Sequence, residues 1–281
     1  MLNKEFYLVT DSSIACCYLV SKWIDNFSGL QNFKGILVKE EIPSDQIQQE
    51  KKSFHKKYAG QKNITDEIQK KILELYPDFD DTEKAMIAMY GIPKYSTIEY
   101  AKTIFIGSDI NGEYARNWLI ETCKYSVPLF FTSVCQILKP WWIEIAKSQV
   151  LNVHSAVLPY ARGMYAIENF AALKDIHKFR KAAGSTIHYI DAGVDTGPII
   201  MVERIVNPFR FNSIWELKGY TYMNGFDLYI KTAKHILTSK ETILVGVVHD
   251  PKLRGPNFYR KDFTLEKCRQ AEEGYLSMKN S

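Results

Sequence analysis

The sequence predicts an α/β fold, a mainly parallel twisted sheet with flanking helices, and three observations carry that expectation. Short apolar runs rich in branched and aromatic residues recur at 5–10, 35–38, 103–107, 127–132, 150–153 and 185–190. Segments with helical spacing lie between them, so strands alternate with helices as in βαβ units. The 281 residues, 46% hydrophobic and 24% charged, suffice for one large core, or one core plus an appendage.

Glu5-Phe6-Tyr7-Leu8-Val9-Thr10 reads as the first strand, Asp11-Ser12-Ser13 as an N-cap, and the segment to about Trp23 as a helix. Gly35-Ile36-Leu37-Val38 is a second strand. A polar stretch from Lys39 to about Lys84 follows, with Ile64, Ile68, Ile72 and Leu75 at helical spacing. It predicts an insertion over about residues 40–100 with one or two surface helices. Its acids and bases alternate, which suits a solvated helical face better than a nucleic-acid arm. Thr103-Ile104-Phe105-Ile106-Gly107, a helix near Gly112 to Lys124, and Val127-Pro128-Leu129-Phe130-Phe131-Thr132 resume the alternation. Beyond Ser185-Thr186-Ile187-His188-Tyr189-Ile190, residues 212–237 read as helix, with Trp215, Leu217, Phe226, Ile230 and Ile236 packing. The tail carries Thr242-Ile243-Leu244-Val245-Gly246-Val247-Val248, a turn at Arg254-Gly255-Pro256-Asn257, and then Phe258-Tyr259-Arg260-Lys261. The expected division is 1–205 as one domain carrying the insertion, with 206–281 as a helical and strand extension.

Thirty-six Lys plus Arg against 32 Asp plus Glu leave a net charge of +4, too small to mark a nucleic-acid binder. No run approaches the roughly 18 apolar residues of a membrane span, and the first residues lack a signal peptide's basic head and apolar run. The expected location is the cytoplasm. Five cysteines, Cys16, Cys17, Cys123, Cys135 and Cys268, are odd in number and lack zinc-site spacing, so they are expected to be reduced thiols packed as small hydrophobes.

The chemistry concentrates between Leu151 and Ile200. Ligands in open α/β sheets bind at the carboxyl ends of strands. Asn152 and His154 sit one residue apart at such an end, so strand alternation turns both side chains to one side. Asp195 lies in the loop Gly193-Val194-Asp195-Thr196-Gly197-Pro198, from which a carboxylate can approach His154. Taken singly, these are a structural histidine, a turn-forming aspartate and a loop-capping asparagine.

The combined pattern is Asn152-Val153-His154, Leu158-Pro159, Arg162-Gly163, Gly184-Ser185-Thr186-Ile187-His188 and Asp195-Thr196-Gly197-Pro198-Ile199-Ile200. It resembles the family of formyltransferases that use 10-formyltetrahydrofolate, best over about residues 103–205. The resemblance implies a Rossmann-like fold and a catalytic trio of Asn152, His154 and Asp195. An acceptor amine would attack the formyl carbon and give a tetrahedral intermediate with a negative oxygen. Asn152 and protonated His154 would stabilise that oxygen, one such donor being worth about 3 to 4 kcal/mol of barrier. Asp195 would hold the His154 cation and help relay the amine's proton to the departing folate nitrogen. 10-Formyltetrahydrofolate is the implied co-substrate, with no metal.

By the same resemblance, the main chain of Thr132 to Leu138, including Cys135 and Gln136, would bind the pterin. Leu138 and Ile143 would line its apolar slot, and the loop with Asp191, Gly193 and Val194 would close its other side. Cys135 is not expected to be a nucleophile, because nothing near it in sequence lowers its pKa. Departures from the family bear on substrate. Ser155-Ala156 follow the histidine where many relatives have Pro-Ser, and Gln136 stands where some purine-pathway relatives have Arg. Thr10-Asp11-Ser12-Ser13 lacks the glycines of a phosphate cradle, which argues against glycinamide ribonucleotide. The residues after Val206 are too few for the C-terminal barrel of methionyl-tRNA formyltransferases, which argues against tRNA.

The expected acceptor is therefore a small-molecule amine, preferably a nucleotide-linked amino sugar. Asn257-Phe258-Tyr259-Arg260-Lys261 could stack on its base and meet its phosphate. Two alternatives remain: a formyltetrahydrofolate hydrolase, whose usual N-terminal ACT domain is not expected here, and a noncatalytic scaffold, which would not need the whole trio. Neither nucleic acid nor membrane is an expected partner. Oligomeric state stays open, a homodimer being one option, with the insertion able to cover the site or make a subunit contact.

Overall fold

The computed structural model describes residues 4–239 and 244–281. Its strands form a mostly parallel seven-stranded sheet in the order β3-β2-β1-β4-β5-β7-β8, together with a two-stranded β6-β9 ribbon. They are β1 (Phe6–Asp11), β2 (Phe33–Lys39), β3 (Thr103–Phe105), β4 (Leu129–Ser133), β5 (Val150–His154), β6 (Arg162–Gly163), β7 (Gly184–Tyr189), β8 (Ile199–Arg204) and β9 (Asn257–Phe258). The fold class is the predicted Rossmann-like α/β class. The chain separates into two compact units, one taking in residues up to Leu151 and the other running from Asn152 to Ile236 with the C-terminal residues.

In the first unit β1 pairs in parallel with β2 on one edge, Leu8 opposite Ile36, and with β4 on the other, Leu8 opposite Phe131. Helix α1 (Ile14–Phe27) starts where the sequence places it, the Ser13 side chain accepting from the Cys16 N–H. It runs one turn past Trp23, because Trp23 and Phe27 both pack beside Phe6. Phe6 stacks in turn on Phe33 and meets Phe131 edge-on, so residues from three strands and a helix share one aromatic core. Cys16 and Cys17 are buried as expected, Cys123 and Cys268 only half so, and Cys135 is exposed.

The insertion differs from expectation. It holds three helices, α2 (Asp45–Tyr58), α3 (Asp66–Leu75) and α4 (Asp81–Tyr90), capped by Ser44, Thr65 and Asp80. Nor is its polar face simply solvated. Lys51, His55 and Glu83 are buried at 2%, 0% and 5% exposure. Lys51 Nζ pairs with Glu40 at 2.6 Å. His55 Nδ1–H donates to the Pro93 carbonyl at 2.7 Å, and its Nε2 accepts from the Tyr76 hydroxyl at 2.7 Å. Glu83 Oε1 accepts the Ala15 N–H at 2.8 Å, placing a carboxylate at the N-terminus of α1. Charge alternation misleads here because these partners are distant in sequence. Helices α5 (Glu113–Cys123) and α6 (Pro140–Ile145) complete the unit.

Two of these buried groups set opposing pH dependences. Burial lowers the His55 pKa from 6.5 to about 4, so falling pH costs stability as the unfolded chain takes up a proton that the folded chain refuses. Burial raises the Glu83 pKa from 4.5 to about 7, so falling pH adds stability in an overlapping window. Each shift amounts to roughly 3 kcal/mol, and between them they nearly cancel. In a His55→Gln variant, unfolding by urea should show stability rising by roughly 2 kcal/mol from pH 7 to pH 5 relative to the parent. A variant whose pH profile parallels the parent's would contradict this assignment.

In the second unit β7 pairs antiparallel with β8, Thr186 opposite Val202. Helices α7 (Ala166–Ala172), α8 (Ile176–Ala182), α9 (Ile214–Thr238) and α10 (Leu265–Lys279) accompany these strands. Helix α9 matches the predicted helix within two residues at its start. Of the apolar tail beginning at Thr242, the first two residues lie outside the described residues, and Val247 bridges to Ile199. Among the described residues no helix is long and apolar enough to cross a membrane.

Candidate active site

Asn152 and His154 stand on β5 with the predicted alternation, and the second unit brings Asp195 to them. Asp195 Oδ2 lies 3.6 Å from His154 Nδ1, and Asp195 Oδ1 lies 3.4 Å from His188 Nε2. The carboxylate also accepts the Gly163 N–H at 2.7 Å. Its backbone is left-handed, φ 49°, a conformation that aspartate tolerates better than most residues and that aims the side chain inward. The preceding turn is closed by Asp191, whose Oδ1 accepts the Gly193 N–H at 3.0 Å and the Thr196 hydroxyl at 2.6 Å. A Cβ on Gly197 would overlap the Tyr189 carbonyl, so glycine is required where the turn folds back on β7.

Main-chain carbonyls fix both imidazole tautomers. His154 Nε2–H donates to the Ala161 carbonyl at 3.0 Å, which leaves the Nδ1 lone pair toward Asp195. His188 Nδ1–H donates to the Tyr189 carbonyl at 2.8 Å, so its Nε2 accepts the Asn152 Nδ2–H at 3.2 Å. His188 is thus a positioning residue for Asn152. It closes the Gly184-Ser185-Thr186-Ile187-His188 motif, whose pattern assigns it no role. Its buried position in a strand next to β5 was the signal available.

Burial pulls the His154 pKa below its ordinary 6.5, and the Asp195 charge pulls the other way without overcoming it. The resting imidazole is therefore neutral, whereas the resemblance implies its protonated form. Burial on its own would raise the Asp195 pKa, but the positive charge that His154 and His188 carry once protonated, together with the Gly163 N–H, outweighs it and holds the carboxyl well below the usual carboxylate range. The result is an ionised acid facing an unprotonated Nδ1, an arrangement ready to take up one proton.

Gly163 supports this arrangement. Its φ is 80°, and a Cβ there would overlap the Phe258 carbonyl and lie 2.5 Å from Asn257 Oδ1. β6 pairs with β9 through Arg162 opposite Asn257 and Gly163 opposite Phe258. Gly163→Ala should therefore both destabilise the fold, by about 1 kcal/mol or more, and lower turnover by displacing the N–H that Asp195 accepts. Thermal unfolding and initial rates of the variant would measure the two effects. A variant with parental rate and melting temperature would show that β6–β9 plays no part in holding Asp195.

The residues expected to meet a pterin are divided between the units. In the first, the Cys135 N–H donates to Asp11 Oδ2 at 2.6 Å, and Gln136 is tied to Asp109 and to the Ile110 N–H. Leu138 is buried and Ile143 half-buried. Although Cys135 as a residue is exposed, desolvation of its thiol by the surrounding chain and the neighbouring Asp11 charge push its pKa up, in keeping with a thiol that is not a nucleophile. In the second unit Asp191, Gly193 and Val194 form the turn already described, and the Val194 carbonyl accepts from Arg162 Nη1 at 3.4 Å. Among the described residues no group of three or more His, Cys, Asp or Glu side chains is placed to hold a metal ion.

Comparison with known proteins gives this cluster its context. The profile of the formyl transferase family matches residues 120–207, which include Asn152, His154, His188 and Asp195. This segment is similar to the formyl transferase family. The methionyl-tRNA formyltransferase of Clostridium botulinum (strain Alaska E43 / Type E3) is 29% identical over 161 residues, covering 56% of this chain and 48% of that one. The trifunctional purine biosynthetic protein adenosine-3 of Chironomus tentans is 31% identical over 161 residues, covering 56% of this chain and 11% of that one. The chain thus spans about half the length, or less, of these curated relatives. Two solved structures share the fold of the formyl transferase domain and its surroundings. A 4-N formyltransferase from Francisella tularensis superposes with a TM-score of 0.55 at 14% identity, covering 98% of this chain and 88% of its own. An N-formyltransferase from Helicobacter canadensis, in complex with folinic acid and dTDP-3-aminofucose, gives 0.54 at 14% identity, covering 96% and 80%.

Proposed function

We propose that this chain is a 10-formyltetrahydrofolate-dependent N-formyltransferase acting on the primary amine of a small molecule, with a nucleotide-linked amino sugar as the acceptor. Residues 1–205 would form the catalytic portion and 206–281 its extension. The observation that carries the reading is the Asp195 carboxylate between two imidazoles whose tautomers are fixed by main-chain carbonyls. The folate supplies a formyl group already activated by its nitrogen.

Asn152, oriented by His188, offers an amide N–H to an oxygen that gains negative charge, a contact worth about 3 to 4 kcal/mol of barrier. Neutral His154 takes the amine's proton at Nδ1, where Asp195 stabilises the resulting imidazolium, and then gives it up to the leaving nitrogen. Within the second unit, the main chain around Asp191, Gly193 and Val194 would meet the edge of the folate's flat ring. The choice of acceptor draws on the Helicobacter canadensis relative in the fold comparison, bound to dTDP-3-aminofucose.

Tetrahydrofolate formation followed with and without a panel of amines tests the reading. Turnover that rises only when an amine is present supports it. Deformylation of the folate at the same rate without any amine would instead identify a hydrolase.

A further inference from the structure

The C-terminal segment 244–259 is strapped to the catalytic loops of its own unit. The Leu244 carbonyl accepts from the Tyr189 hydroxyl at 3.0 Å, and Val247 exchanges main-chain hydrogen bonds with Ile199, four residues beyond Asp195. At the other end the Gly255 N–H donates to the Pro159 carbonyl at 2.8 Å, and its carbonyl accepts two hydrogen bonds from Arg162, each 3.2 Å. His249 lies between these anchors. It is 93% removed from solvent, its relative exposure being 7%, yet neither ring nitrogen has a hydrogen-bond partner among the described residues. Asn257 Oδ1, against Gly163, is likewise buried and unpaired. Buried polar atoms are nearly always satisfied, so three unpaired ones on a strap held to the catalytic loops call for a ligand.

We propose that His249 and Asn257 form the acceptor-recognition subsite of the catalytic centre and take a hydroxyl-bearing ring, that is, the sugar of an amino-sugar acceptor. A neutral imidazole presents one donor and one acceptor, which is the complement of a hydroxyl group. Burial first, then Arg254, His188 and Arg162, lower the His249 pKa, with Asp191 opposing them, which keeps the ring neutral. Asn257 Oδ1 adds an acceptor for a second O–H or N–H. Exposed Arg254 supplies positive charge for an anionic group carried by the same ligand. The choice of an amino sugar rests on the formyl-transfer reading. The subsite's location and chemistry rest on the unpaired atoms.

The test uses the full chain with ring-labelled histidine, titrated in separate NMR experiments with dTDP-3-aminofucose, glucosamine and dTDP. The six histidines give few signals, and the one lost in His249→Phe is assigned to His249. The expected result is a shift of the His249 signal with the two amino sugars but not with dTDP alone. The Kd for dTDP-3-aminofucose should rise at least tenfold in His249→Phe and in His249→Gln, while folinic acid binds both variants as it binds the parent. A His249 signal unmoved by either sugar, or equal losses of folinic acid and sugar binding, would overturn the subsite. If the sugar binds at His249 but no amine is formylated, the functional reading fails and the subsite stands.

Discussion

Asp195→Asn should lower kcat by about 10²- to 10⁴-fold while leaving the fold and folinic acid binding intact. The substitution keeps the shape of the side chain and an oxygen for the Gly163 N–H, but removes the charge that faces His154 Nδ1 and His188 Nε2. Without that charge, an imidazolium at residue 154 has no counterion in a buried setting, and proton uptake becomes costly. The same charge has a stability signature. Because the folded carboxyl is held below its ordinary value, its contribution is present above the unfolded pKa and is lost as pH falls toward the folded one. Acid titration of stability should therefore be shallower in the variant than in the parent. Equal kcat in the two proteins would remove Asp195 from the chemistry.

His154→Asn should cost a loss of the same order, about 10²- to 10⁴-fold, and should also change the pH profile. If the neutral imidazole is the working form, kcat/KM in the parent falls on the acid side as His154 gains its proton. Burial lowers that pKa, so the limb lies below pH 6.5. The variant should lack the limb altogether. A variant that keeps both the acid limb and the rate would assign the limb to another group.

Much of this site was legible in the sequence because its signals are local. Ser13 before an apolar run marks the start of α1, and the one-residue spacing of Asn152 and His154 puts both on one side of β5. Asp195 needed only its turn, Gly193 through Gly197, to be placed at a strand end. What escaped the reading depends on contacts across long stretches of chain. His188 orients Asn152 from 36 residues away, and Glu83 reaches the Ala15 N–H across 68 residues. Helix α4 does carry a local signal, Asp80 followed three residues later by Glu83, with the Asp80 side chain accepting the Glu83 N–H at 2.9 Å. The strap at 244–259 has no periodic pattern, since its strand is two residues long and exists because Arg162 and Gly163 pair with it.

The fate of a labelled formyl group tests the central claim most directly. With 10-formyltetrahydrofolate carrying ¹³C at the formyl carbon and an amino-sugar nucleotide as acceptor, a single turnover should move the label into a formamide on the sugar nitrogen, one for each tetrahydrofolate formed. Label appearing as free formate, or remaining on the folate with every amine supplied, would contradict the account.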